Sequence, residues 1–303
     1  MAEFDYVIVD VFTETALAGN PLAVVFDSEG LETARMLAIA REFNLSETTF
    51  IQRRPAEVEQ AEGVRVRIFT TREELPFAGH PTLGTASVLR TAVPEIVRDG
   101  TVYLALNVGR IPVRFQDEAA GSDALFGEMT QRDPEFGAEL NPADVARLTG
   151  LAPEDLHSSV RPQVVSTGTA FAIVILRSLG ALARLKVNHD EATPWLGGHG
   201  GRWFYVLAPS PDHDEHGTKG WRARMQFYGG EDPATGSAAG CAIGYLVGHG
   251  LVNSGERIHV QQGIEISRPS DILLSARREG SRITGVRVGG STVLVAKGRL
   301  LLP

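Results

Sequence analysis

Two glycine-rich turns, Phe77-Ala78-Gly79-His80-Pro81-Thr82-Leu83-Gly84-Thr85 and Gly230-Glu231-Asp232-Pro233-Ala234-Thr235-Gly236-Ser237-Ala238-Ala239-Gly240, each run straight into small and apolar residues. The runs, Thr82 to Leu89 and Ala238 to Val247, predict two buried helices. Two copies of one turn-into-buried-helix unit, about half a chain apart, predict a duplicated architecture.

A helix N-terminus presents unpaired backbone N–H groups and a partial positive charge, so such starts suit an anionic carboxylate and negative charge developing beside it. Glu47, in Phe43-Asn44-Leu45-Ser46-Glu47-Thr48-Thr49-Phe50, together with His80 and Asp232 supplies titratable groups. That set suits proton abstraction from a carbon next to an activating group and return of the proton at the same or another carbon, chemistry that requires no cofactor. From local sequence alone each feature also has a structural reading. The glycines serve tight turns, His80 caps a helix start, and Glu47 opens a solvated strand.

Phe12-Thr13, Ala18-Gly19-Asn20-Pro21-Leu22-Ala23-Val24-Val25, Asn44-Leu45-Ser46-Glu47-Thr48, Pro76-Phe77-Ala78-Gly79-His80-Pro81-Thr82 and Glu231-Asp232-Pro233-Ala234-Thr235-Gly236-Ser237-Ala238 occur in this order over nearly the whole chain. Together they resemble the PhzF family of phenazine-biosynthesis-type isomerases, which shares its fold with diaminopimelate epimerase. The resemblance implies an α+β chain of two similar epimerase-like domains, each a barrel-like sheet wrapped round a central helix. It implies Glu47 as the acid/base that moves a proton between two carbons on one face of a small carboxylated substrate. His80 and Asp232 match residues that bind the substrate and hold its ionisation state. Gly79, Gly236 and Ser237 match loop positions that meet its carboxylate, Asn20 lies in the matching first loop, and a homodimer is implied.

Epimerases of this fold use two cysteines at positions that match Gly79 and Gly236. Cys241, the single cysteine here, lies within the second helical run, so a two-thiol mechanism is excluded. The approach Arg224-Met225-Gln226-Phe227-Tyr228-Gly229-Gly230 departs from the family pattern: the loop reads as shortened and Tyr228 is unusual, which points to a reshaped pocket.

With 303 residues the chain can bury a substantial core in two domains, expected at 1–120 and 121–285, with 286–303 as terminal strands that cross back to the first. A net charge of −8 argues against nucleic acid or an anionic membrane as partner. One cysteine excludes an internal disulfide, and no apolar run approaches a membrane span or a secretory leader, so a cytoplasmic location is expected. The loop Pro211-Asp212-His213-Asp214-Glu215-His216-Gly217 lacks a rigid frame for metal ligation, His199 with Gly197, Gly198, Gly200 and Gly201 reads as a flexible loop without the Lys-Ser/Thr of a P-loop, and Gly236-Ser237-Ala238-Ala239-Gly240 lacks the nucleophile-elbow spacing. No metal is expected.

Strands are expected at 6–12, 22–26, 49–53, 64–69, 102–106 and 111–115, with a helix at 32–43. Further strands are expected at 125–129, 163–166, 171–176, 203–207, 222–228, 258–261, 272–276, 283–288 and 293–296, with a capped helix after Asn141-Pro142 and another at 180–185. The functional expectation is a cofactor-independent isomerase that shifts a proton and a double bond, using a Glu47 of raised pKa in a mostly apolar cleft. Epimerisation or tautomerisation of another natural-product intermediate, and a non-catalytic ligand-binding role, are the alternatives.

Overall fold

A computed structural model describes residues 2–116, 124–213, 218–227 and 230–302. The chain forms two compact units: Met1–Thr130 with Gly289–Pro303, and Gln131–Val288.

The first unit contains β1 (Ala2–Val11), β2 (Asn20–Val25), α1 (Thr33–Phe43), β3 (Glu47–Gln52), α2 (Ala56–Glu62), β4 (Val64–Phe69), β5 (Glu74–Leu75), α3 (Gly79–Ala92), β6 (Thr101–Leu106), β7 (Gly109–Phe115) and β8 (Leu125–Thr130). The strands run β1-β2-β3-β4-β6-β7-β8-β18, and β1 pairs with β18, so eight strands close into a ring. α3 packs against β1, β2, β3, β6, β7 and β8 and is buried from Gly79 to Leu89, as a helix without a polar face must be. Alternation along β4 buries Val64, Val66 and Ile68 while Arg65 and Arg67 stay partly exposed. α1 is amphipathic instead, and buries Met36, Ile39 and Ala40 with Val25, Phe50 and Phe69.

The second unit contains β9 (Glu135–Glu139), α4 (Pro142–Thr149), β10 (Gln163–Ser166), β11 (Ala170–Ile175), α5 (Leu179–Ala183), α6 (His189–Gly198), β12 (Trp203–His213), β13 (Lys219–Arg224), β14 (Gln226–Phe227), β15 (Gly230–Glu231), α7 (Gly236–Gly248), β16 (Ile258–Gln262), β17 (Ser270–Glu279) and the first residues of β18 (Arg282–Leu302). Its sheet order is β9-β10-β11-β12-β13-β16-β17-β18. α7, buried from Gly236 to Val247, packs on β10, β11, β12 and β17. α4, α5 and α6 share a second core with Val164, Val174, Phe204 and Val206.

The duplication is topological as well as local. In the first unit successive pairs are antiparallel (β1/β2), parallel (β2/β3), antiparallel (β3/β4), parallel (β4/β6) and antiparallel (β6/β7). The second unit repeats the series as β10/β11, β11/β12, β12/β13, β13/β16 and β16/β17. A parallel pair requires a crossover, and α3 and α7 are the crossovers of the second parallel pair in each unit. This is the α+β arrangement of two epimerase-like units.

Two local expectations are corrected. The two closing strands expected at 283–288 and 293–296 are one, because β18 runs unbroken from Arg282 to Leu302 through Gly289-Gly290. A Cβ on Gly289 would lie 3.0 Å from Phe126 Cζ, so this glycine serves close packing of β18 on β8 rather than a turn. The glycines after Trp195 read as loop, but Gly197 and Gly198 finish α6, whose Asn188 cap accepts the Glu191 N–H. The departure at Tyr228-Gly229, and Asp214-Glu215-His216-Gly217 of the candidate metal loop, lie outside the described residues.

Candidate active site

In the first unit three elements bring Asn20, Glu47 and His80 together. Asn20 opens β2 after Gly19, whose φ of +65° and a would-be Cβ 2.4 Å from Val11 O admit only glycine. Glu47 opens β3, in register with Leu22 of β2, after Asn44 in the left-handed conformation ends α1. Alternation then turns Glu47 and Thr49 towards α3: Thr49 Oγ1 lies 2.8 Å from Thr85 Oγ1, and Glu47 Oε2 lies 3.5 Å from His80 Nε2. Gly79 and His80 are the first two residues of α3, so their N–H groups precede the helical hydrogen-bond ladder, and Pro81 has none to offer.

The ring of His80 is 3% exposed and Asn20 is fully buried. Burial pushes the His80 pKa down to about 3, so the ring is neutral at pH 7. Asn20 Nδ2 lies 3.1 Å from His80 Nδ1. In this orientation of the Asn20 amide its NH2 donates, Nδ1 accepts and the single ring proton falls on Nε2, the nitrogen 3.5 Å from Glu47 Oε2. Glu47 therefore lies beside a neutral ring rather than an imidazolium, with no hydrogen bond formed between Nε2 and Oε2. Its side chain is 13% exposed.

In the second unit Asp232, Gly236 and Ser237 fall in one turn and helix start. β14 and β15 form a short hairpin that delivers Asp232, whose N–H donates to Met225 O at 2.8 Å. Beneath the hairpin Arg224 holds Glu231 in a buried bidentate pair, Nε–Oε1 at 2.8 Å and Nη2–Oε2 at 2.6 Å. Arg224 Nη1 also donates to the carbonyls of Leu182 and Ala183 at the end of α5. Asp232 Oδ2 accepts from Thr235 Oγ1 at 2.7 Å, and Gly236 and Ser237 are the first two residues of α7. Gly236 O accepts from Gln131 Nε2 at 2.9 Å. Cys241 is fully buried inside α7, where burial pushes its thiol up to about 11 and leaves it a poor nucleophile.

Arg224, Tyr205, Gln131 and Gln262 were not legible as site residues. Gln262 had a signal: alternation in Ile258-His259-Val260-Gln261-Gln262 places it on the buried side of β16, where an amide needs partners.

Comparison with known proteins places the whole chain in one family. The family model for phenazine biosynthesis-like proteins, PhzC-PhzF, matches residues 9–298. The chain belongs to this family. The trans-2,3-dihydro-3-hydroxyanthranilate isomerase of Pseudomonas aeruginosa is 36% identical over 98% of this chain and 99% of its own. An uncharacterized isomerase of Mesorhizobium japonicum is 35% identical with the same coverage. Among solved structures, a predicted epimerase of Pseudomonas aeruginosa superposes with a TM-score of 0.80 at 33% identity, over 99% of this chain and all of that one. Within the PhzC-PhzF family the protein is an isomerase. Among the described residues no helix is long and apolar enough to cross a membrane.

Proposed function

We propose that this member of the PhzC-PhzF family is a cofactor-independent isomerase that shifts a proton, and with it a double bond, within a small carboxylated cyclic substrate. Glu47 is the acid/base. Its carboxylate takes a proton from one carbon, the released electron pair moves through the conjugated system, and the Glu47 carboxylic acid returns the proton to another carbon on the same face. The observation that carries this reading is the neutral, buried His80, whose Nε2 lies 3.5 Å from the Glu47 carboxylate. A neutral ring does not fix the carboxylate beside it in an ion pair, so Glu47 keeps the freedom to accept and release a proton.

Asp232 and His80 bind the substrate and hold its ionisation state. Backbone N–H groups at Gly79, Gly236 and Ser237, with the Ser237 hydroxyl, meet its carboxylate, and Asn20 lines the site. The relatives that share about a third of the sequence act, by their names, on trans-2,3-dihydro-3-hydroxyanthranilate, which is the first substrate to offer. A cytoplasmic homodimer belongs to the same proposal, and light scattering tests its stoichiometry.

Proton NMR in D₂O with that compound and a panel of carboxylated cyclic enamines is the test. Isomerisation or deuterium uptake with wild type and not with Glu47→Gln is expected. Retained turnover in Glu47→Gln removes Glu47 from the mechanism, and binding without turnover by wild type favours a ligand-binding role.

A further inference from the structure

The loop that carries Asp232 is held by a buried network whose hydrogen-bond directions are all determined. Gln262, fully buried, uses both amide protons and both carbonyl lone pairs. Nε2 donates to Asp232 O at 2.8 Å and to Thr235 Oγ1 at 2.9 Å. Oε1 accepts the Thr235 N–H at 3.1 Å and the Tyr205 hydroxyl at 3.1 Å. The amide cannot be turned over, because a backbone carbonyl needs a donor at one end and a backbone N–H needs an acceptor at the other. Tyr205 is also fully buried, and burial raises its pKa, so its hydroxyl stays a donor.

The direction at Thr235 follows. Its hydroxyl accepts from Gln262, so its one proton goes to Asp232 Oδ2 at 2.7 Å. Oδ2 is thereby held as an acceptor and the carboxylate is fixed in rotation. We propose that Thr235 and Gln262 are positioning residues that set the orientation of the Asp232 carboxylate, with Tyr205 completing the set. The proposal rests on the reading of Asp232 as substrate-binding for its effect on turnover, but not for its effect on geometry. None of the three needs to touch the substrate.

Three variants test it. Thr235→Val keeps the shape and removes the hydroxyl, Thr235→Ser keeps the hydroxyl, and Gln262→Glu keeps the shape but removes both donors at neutral pH. In crystal structures the Asp232 carboxylate is expected to turn in Thr235→Val and to stay in Thr235→Ser. With trans-2,3-dihydro-3-hydroxyanthranilate as the probe, kcat/KM is expected to fall about 10- to 100-fold in Thr235→Val, the scale of one hydrogen bond to a charged group, and to remain near wild type in Thr235→Ser. Gln262→Glu is expected to be impaired at neutral pH and to recover relative to wild type as the pH falls, because the introduced carboxyl group, once protonated, can donate again to the Thr235 hydroxyl; a role in packing alone has no such pH dependence. An unmoved Asp232 carboxylate in Thr235→Val, or equal loss in Thr235→Val and Thr235→Ser, overturns the proposal. Asp232→Asn separates the two claims: wild-type kinetics there defeat the substrate-binding reading, while the crystal structures still decide the positioning.

Discussion

At the residue scale the proposed chemistry turns on the protonation of one ring. Asn20 occupies Nδ1 of His80, which places the proton on Nε2, and burial keeps the ring neutral. His80 should therefore contribute no limb near pH 6.5 to the rate profile, which a kcat/KM titration between pH 5 and 8 checks. Stability carries the same signature with a definite sign. An unfolded chain takes up this proton near pH 6.5, whereas the folded protein resists it down to about 3. The His80 contribution is thus fully present above pH 6.5 and is lost as the pH falls from there towards 3. Urea midpoints at pH 7 and pH 4 should differ less in His80→Gln than in wild type.

Helix and hairpin packing decide how well these side chains are held. The central helices tolerate no added volume. A Cβ on Gly84 would lie 2.7 Å from Val11 Cγ2 and 2.8 Å from Leu22 Cδ2, and one on Gly240 would lie 1.9 Å from Gln131 Oε1. Gly84→Ala and Gly240→Ala are each expected to cost about 1–3 kcal/mol by overpacking, measured by denaturant unfolding. Gly240→Ala should also lower turnover, because Gln131 Nε2 holds the Gly236 carbonyl at the start of α7. The hairpin before Asp232 depends on a buried pair. Arg224→Met leaves Glu231 buried without its guanidinium and is expected to cost about 3–5 kcal/mol. Adding Glu231→Leu should restore much of that, and a double-mutant cycle measures the coupling.

For the whole molecule β18 is the decisive strand, since residues from Gly289 onward complete the first ring by pairing with β1 and β8. Ending the chain at Val288 leaves edges of β1 and β8 unpaired, and the first unit is expected to lose cooperative unfolding and to aggregate, read by hydrogen exchange and light scattering. Much of this architecture was legible in advance. Gly79 and Gly236 mark helix starts, and the small apolar runs behind them can only be buried, so the duplicated α+β form and the place of Glu47, His80 and Asp232 in the motifs follow from local sequence and family resemblance. Long-range pairing was not legible. The strands at 283–288 and 293–296 read as separate until Phe126 is seen against Gly289, and the proton on the His80 ring is undefined until Asn20, sixty residues earlier, is placed beside it. The same holds for Gln262, whose partners Tyr205, Asp232 and Thr235 lie on a distant strand and a distant loop. What the sequence by itself determined were the elements and the chemical groups, because backbone propensity and side-chain identity are local. Only the tertiary structure decided which proton faces which oxygen, because the direction of a buried hydrogen bond is set by all of its partners at once.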